Sequence, residues 1–161
     1  MLEIRPAIKQ DCALILDYIK ALAIAEDFPF AVAVTLQDLQ RNLFNDSPTA
    51  HALVFYRHKQ PCGFAVYYYS FSTTTGKRGL HLDDLYIEPE YQGLGIGRSA
   101  LGYLAQIAVD QECARFEWWA LKSNDSAIKF YQKIGANNLE QLSIFRLEEK
   151  AIAELAYSKT Y

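Results

Sequence analysis

The sequence predicts a single α+β domain, a mixed and mostly antiparallel twisted sheet flanked by helices. Three observations predict it. Segments rich in β-branched and aromatic residues succeed one another through the middle of the chain, apolar residues at helical spacing precede and follow them, and one strand–turn–helix–strand unit comes next. No Ser/Gly/Pro-rich linker and no internal repeat divides residues 1–161, which are therefore assigned to one domain.

The elements follow in order. Residues 2–5 read as a short strand stopped by Pro6. Leu14, Ile15, Tyr18, Ile19 and Leu22 then recur at helical spacing, with Asp11 as the candidate N-cap and Phe28-Pro29-Phe30 as the breaker. Thr35 is the candidate cap of a second helix carrying Leu36, Leu39, Leu43 and Phe44 on one face, and Asn45-Asp46-Ser47-Pro48 is a turn. Residues 50–56 and 63–71 form a hairpin across the basic link 57–62, and the polar stretch 73–79 leads to a strand over 80–87. A long helix over 96–113 turns Leu101, Leu104, Ile107 and Ala108 inward, and a strand over 115–121 follows. Residues 124–134 form a helix ended by Gly135. The alternation in 142–147 predicts a last strand, and 151–157 a short terminal helix.

Composition narrows the function classes. Hydrophobic residues make up 51% and charged residues 22%, so the chain folds and is not a disordered segment. The net charge of −3 makes nucleic acid an unfavourable partner. Cys12, Cys62 and Cys113 are odd in number, widely spaced and free of any CxxC pair, which argues against a zinc ribbon or a disulfide framework and for a reducing, cytoplasmic setting. His51, His58 and His81 form no ligand pair, so no metal is expected. No signal-peptide core and no apolar run of roughly 18 residues is present, so no membrane partner is expected.

The segment with chemistry runs Leu82-Asp83-Asp84-Leu85-Tyr86-Ile87-Glu88-Pro89-Glu90-Tyr91-Gln92-Gly93-Leu94-Gly95-Ile96-Gly97. A strand enters a glycine-rich turn that opens a helix. Alternate glycines let backbone approach a ligand closely, and the first helical turn offers free N–H groups and a positive dipole end. A dinucleotide fingerprint requires glycine where Arg98 stands, and the Gly-Lys-Ser/Thr of a P-loop is absent. A plain strand–helix turn using glycine for tight packing is the alternative.

The spacing Gln92-x-x-Gly95-x-Gly97 resembles the acetyl-coenzyme A motif of the GNAT N-acetyltransferase superfamily. The opening Ile4-Arg5-Pro6-Ala7 and the later Asn124-Asp125-Ser126-Ala127-Ile128-Lys129-Phe130-Tyr131 through Gly135-Ala136 are similar to its first strand and its late helix. Within the superfamily the chain looks closest to the diamine (spermidine/spermine) and thialysine acetyltransferases. It shares with them Asp11-Cys12, Glu26, Gly63-Phe64-Ala65, Tyr67-Tyr68, Gly76-Lys77, Asp84, Tyr91, Gly93, Gly95-Ile96-Gly97 and Phe130-Tyr131.

The resemblance implies the GNAT fold and an acetyl-CoA-dependent enzyme that acetylates the primary amine of a small cationic acceptor, a diamine, polyamine or lysine-like amino acid, by direct attack in a ternary complex. Its rivals are a protein lysine or N-terminal acetyltransferase and a non-catalytic acyl-CoA-binding module. The resemblance further implies that the cleft strand splays from its neighbour. Backbone of Leu85, Tyr86 and Ile87 then meets the pantetheine arm, and Gln92, Gly93, Leu94, Gly95, Ile96, Gly97 and Arg98 hold the pyrophosphate. Asn124 and Ser126 mark the cofactor-side rim. Tyr131 protonates the departing thiolate, Asp83 stands where the family carries a glutamate that takes the amine proton through water, and Glu26, Asp83 and Asp84 bind the cation. Asp83 and Asp84 alternate on a strand, so one alone faces the cleft unless a bulge intervenes. His81 either reaches substrate or is a partly exposed strand residue; Trp118-Trp119 is core or a dimer contact. A homodimer is expected from the same relatives.

Overall fold

A computed structural model describes residues 1–27 and 31–158. The expected helix breaker Phe28-Pro29-Phe30 lies outside the described residues. The chain divides into two compact units, Met1–Trp119 and Ala120–Tyr161.

The first unit is built on one five-stranded sheet in sequence order, β1 (Leu2–Pro6), β2 (His51–Arg57), β3 (Gln60–Ser72), β4 (Lys77–Ile87) and β5 (Arg115–Trp118). The first four strands pair antiparallel and β5 joins β4 in parallel. A parallel neighbour needs a crossover connection, and α3 (Ile96–Asp110) supplies it. α1 (Cys12–Ala25) and α2 (Leu36–Leu43) lie between β1 and β2 in the chain.

Alternation along the strands splits the core between two faces. Val54, Phe64, Val66 and Tyr86 pack with Ile15 and Tyr18 of α1 and with Leu39 and Leu43 of α2. Tyr18 stacks on Phe64 at 5.8 Å between ring centroids and meets Tyr86 at 5.5 Å. Leu53, Phe55, Leu80 and Leu82 are buried on the other side, and α3 buries Ile96, Ala100, Leu101 and Leu104.

Several local expectations hold and others are corrected. Thr35 caps α2: its Oγ1 accepts from the Asp38 amide at 3.2 Å, and Asp38 reciprocates by accepting from the Thr35 amide at 2.9 Å. Asp11 stands at the cap position of α1 but does not cap it. Its carboxylate turns back to accept from the Ile8 amide at 2.8 Å and from both arms of the Arg5 guanidinium at 2.8 and 3.1 Å. The hairpin link is tighter than the expected 57–62. Arg57 pairs with Gln60, and His58 and Lys59 alone turn the chain, with φ of 52° and 67° in the left-handed region.

The second unit contains α4 (Asp125–Lys133) and α5 (Glu149–Tyr157). Asn124 caps α4, its Oδ1 accepting from the Ala127 amide at 3.1 Å. Gly135, with φ of 92°, ends it as expected. Its amide donates to the Gln132 carbonyl at 3.0 Å and the Ala136 amide to the Tyr131 carbonyl at 3.0 Å. The last strand expected over 142–147 is not formed. That stretch has no ladder partner, and Leu142, Ile144, Phe145 and Leu147 are exposed. The terminal helix is present and begins two residues earlier than the expected 151, at Glu149.

Candidate functional site

The parallel ladder between β4 and β5 ends at Leu82 opposite Trp118, while β4 continues to Ile87. Beyond Leu82 the β5 side of β4 has no ladder partner among the described residues, and Leu85, Tyr86 and Ile87 lie along that edge. Their other edge is paired with β3, Ala65 to Leu85, Phe64 to Tyr86 and Gly63 to Ile87. The close approach at Gly63 holds that pairing: a Cβ there would stand 2.3 Å from the Tyr86 carbonyl oxygen. A rigid strand with one free backbone edge is a template for an extended ligand.

The strand runs through a short turn, Pro89–Tyr91, into the glycine loop. Gln92 Nε2 donates to the Ile87 carbonyl at 2.9 Å, so its side chain braces the loop against the strand end. Gly93 and Gly95 adopt φ of 75° and 81°, where a side chain is strained, and Gly95 is the left-handed N-cap of α3. No side chain caps that helix and no acidic residue occupies its first turn. The first helical bond there runs from the Ser99 amide to the Gly95 carbonyl at 3.1 Å, so the amides of Ile96, Gly97 and Arg98 have no helical acceptor. A Cβ on Gly93, Gly95 or Gly97 would meet nothing within 4 Å. The space above the loop is open, the dipole end is positive, and Leu94 and Arg98 are exposed beside it. These are the requirements of a diphosphate.

On the α1 side of the sheet the register holds a surprise. Val66 pairs with Asp84 and Tyr67 with Leu82, so Asp83 is the extra residue of a β-bulge. Asp83 is exposed and Asp84 half-buried. Burial, with the negative charges of Asp83 and then Glu26 nearby, pushes the Asp84 carboxyl up to about 6. Glu26 is exposed at the C-cap of α1. Of the three expected cation-binding carboxylates, Asp83 and Glu26 both lie near enough to act on Asp84, and none of the three is in an ion pair among the described residues.

His81 is corrected from a partly exposed strand residue to a buried one, 7% accessible. Its ring stacks on Tyr68 at 4.9 Å and meets the edge of Trp119 at 5.0 Å. Nε2 is buried with no hydrogen-bond partner. Tyr68 in turn feels the Asp83 charge, which together with the stronger effect of burial holds its phenol above the ordinary value. Sequence reasoning left His81 open because burial depends on Tyr68 and Trp119, both distant in sequence. It also missed an open, acidic hollow lined by Asp17, Tyr18, Tyr86, Glu88 and Glu90.

In the second unit Tyr131 is half-buried on α4, its ring 5.5 Å from that of Phe130. Asn124 and Ser126 are exposed at the start of the same helix.

The model of the acetyltransferase (GNAT) family matches residues 20–136, a span holding the bulged strand, the glycine loop and Tyr131. The chain belongs to the acetyltransferase (GNAT) family. It is an acyltransferase, and the strand-to-α3 passage above is the part of the GNAT fold that its glycines shape. Thialysine N-epsilon-acetyltransferase of Sus scrofa is 34% identical over 95% of this chain and 96% of its own. The spermidine/spermine N(1)-acetyltransferase-like protein 1 of Homo sapiens is 34% identical over 98% of this chain, which corresponds to 24% of that longer protein. Among solved structures, an integron cassette protein from the mobile metagenome of V. cholerae superposes with a TM-score of 0.77 at 29% identity, covering 98% of each chain. Among the described residues no helix is long and apolar enough to cross a membrane, and no three His, Cys, Asp or Glu side chains are grouped to hold a metal.

Proposed function

We propose that residues 1–161 act as one catalytic GNAT domain that moves acetyl from acetyl-CoA to the primary amine of a small cationic acceptor, a diamine, polyamine or lysine-like amino acid. The observation that carries the reading is the free edge of β4 beyond Leu82, leading through a short turn and the glycine loop into a helix whose first-turn amides have no helical acceptor. Leu85, Tyr86 and Ile87 would align the pantetheine arm, and an amide among them would polarise the thioester carbonyl. Gly93 to Arg98 would hold the pyrophosphate.

The acceptor arrives as an ammonium, with an ordinary pKa of about 10.4, and cannot attack until it loses a proton. The carboxylates of Glu26, Asp83 and Asp84 favour a cation and offer a proton acceptor; Asp83 is the residue the family resemblance points to. The amine nitrogen attacks the thioester carbon, the carbon–sulfur bond breaks, and Tyr131 is the proposed donor of a proton to the thiolate. Direct transfer is supported by the thiols: Cys62 and Cys113 lie outside the glycine-loop motif, and burial pushes Cys12, Cys62 and Cys113 all up, so none suits an acetyl-cysteine intermediate.

Acceptor choice follows charge. Where polyamine-acetylating relatives carry an acidic pair after the residue matching Glu26, this chain reads Phe30-Ala31-Val32, of which Phe30 lies outside the described residues, as does Phe28. Ala25 and Thr74 replace a tyrosine and a tryptophan. The favoured acceptor therefore carries one or two charges. A kinetic panel of diamines, spermidine, spermine, thialysine and lysine peptides with acetyl-CoA tests this. Highest kcat/KM for a short diamine or thialysine is the expected result. Spermine ranking first would overturn the charge argument, activity on peptides alone would favour a protein acetyltransferase, and acetyl-CoA binding without turnover on any amine would leave a non-catalytic binding module. The reading includes a cytoplasmic homodimer with no nucleic-acid or membrane partner, checked by sedimentation at micromolar concentration and by fractionation.

A further inference from the structure

Resting on the amine-acetyltransferase reading, we propose that the bulge in β4 transfers the proton-accepting role from Asp83 to Asp84. A strand position that aligns with a family glutamate would normally keep that role. Here two features work against it. The side chain is one methylene shorter, and the residue is the extra one of the bulge, exposed and without a cross-strand partner on β3. Asp84 instead stands in register opposite Val66, on the face that α1 and α2 cover.

Three features make Asp84 the better acceptor, the second following from the first. It is half-buried between two like charges, Asp83 on its own strand and Glu26 at the end of α1, and no cation pairs with it among the described residues. Its affinity for a proton accordingly lies near neutrality, where a base is most effective. The same face carries His81, more than nine-tenths buried, with Nε2 unpartnered beside Tyr68 and Trp119. An unpaired buried imidazole nitrogen is costly in the free protein and is offset when a polar acceptor occupies the face.

The step balances without another reactant. The ammonium N–H bond breaks and its proton moves to an Asp84 oxygen. The freed amine forms the C–N bond as the C–S bond breaks. The second nitrogen proton replaces the one given to the thiolate, and Asp84 releases its proton to water before the next turnover. The charged groups acting on Asp84 in the free protein are Asp83 and Glu26; Tyr68, His81 and Tyr86 are titratable groups of the same sheet face, and Tyr18 of α1 packs against it.

The test is the pH dependence of kcat/KM for 1,4-diaminobutane and thialysine at saturating acetyl-CoA, in the wild-type protein, Asp84→Asn, Asp83→Asn and His81→Gln. The wild-type profile is expected to fall on the acid side near pH 6. Asp84→Asn should lose roughly 10²–10³-fold and the acid limb with it. Asp83→Asn should raise KM several-fold and keep the limb, moved to lower pH because a neighbouring negative charge is gone. His81→Gln should also keep the limb. Calorimetric acetyl-CoA affinity checks that each variant is folded. A larger loss in Asp83→Asn than in Asp84→Asn, a limb surviving in Asp84→Asn, or a limb lost in His81→Gln would each overturn the proposal. A wild-type protein that binds acetyl-CoA but acetylates no amine overturns the functional reading itself.

Discussion

His81 and Asp84 are three residues apart on β4 and face the same side of the sheet, His81 opposite Tyr68 and Asp84 opposite Val66. Residues at that separation on a regular strand face opposite sides. The extra residue, Asp83, makes the difference, and with it one face of the sheet carries an imidazole and a carboxyl together.

That crowding has a cost in stability. A carboxyl whose pKa is raised in the folded state favours folding most at a pH below its unfolded value, and this contribution is lost as pH rises through the folded value. For Asp84 the window runs from about 4 to about 6. At pH 7.5 Asp84→Asn is therefore expected to stabilise the protein, by about 1–2 kcal/mol after allowance for partial exposure. At pH 4 the gain should vanish. Thermal melts at both values check it; equal effects at both would show that Asp84 is not strained by its charge.

Arg5 and Asp11 show the opposite sign. Burial raises the Asp11 carboxyl, but hydrogen bonds from Arg5 and the Ile8 amide outweigh it and hold the group below its ordinary value. Its stabilisation is present above the unfolded pKa and lost as pH falls through the lower folded one. Arg5→Ala should cost about 1–3 kcal/mol at pH 7, with Arg5 itself partly exposed, and much less in strong acid. Chemical denaturation across pH would reveal a pH-independent loss if packing on Tyr56 were the whole effect.

Gly97 separates cofactor binding from folding. No positive φ constrains it, and a Cβ there meets nothing within 4 Å. Gly97→Leu should leave the melting temperature unchanged or raised, since glycine is a poor helix former. Acetyl-CoA affinity, measured by calorimetry, should nevertheless fall at least tenfold because the side chain fills the approach to the amides of α3. Unchanged affinity would remove the loop from the binding site.

Tyr131→Phe deletes one hydroxyl and keeps the ring. With Tyr131 as proton donor, kcat should fall roughly 10²–10⁴-fold while the KM for acetyl-CoA is little changed. Wild-type turnover would reduce Tyr131 to packing against Phe130.

What could be read from sequence was local. Thr35 carries its own acceptor, Gly135 its own freedom of φ, and the glycine run its helix start, so these were legible from spacing alone. Asp11 has the right residue type for a cap, yet Arg5 on β1 and the Ile8 amide compete for its oxygens, and that competition depends on where β1 lies. The bulge at Asp83 is a matter of how β3 pairs with β4, which no property of Asp83-Asp84 announces. Residues 142–147 alternate like a strand, but a strand exists only with a partner, and here no ladder forms. β5 likewise stops at Trp118, short of the expected 121, and the free edge of β4 depends on that early end.

The thiols give the molecule an internal clock. Cys12 and Cys62 are 1% and 0% accessible, Cys62 on β3 beside the Gly63–Ile87 pair, while Cys113 is partly accessible. An alkylating reagent meets Cys113 directly, but it can reach Cys62 only when the packing over its side chain, which includes Tyr18 of α1, opens. The rate at which Cys62 is capped under native conditions thus reports how often this part of the core opens, and acetyl-CoA bound along β4, as proposed, should slow it.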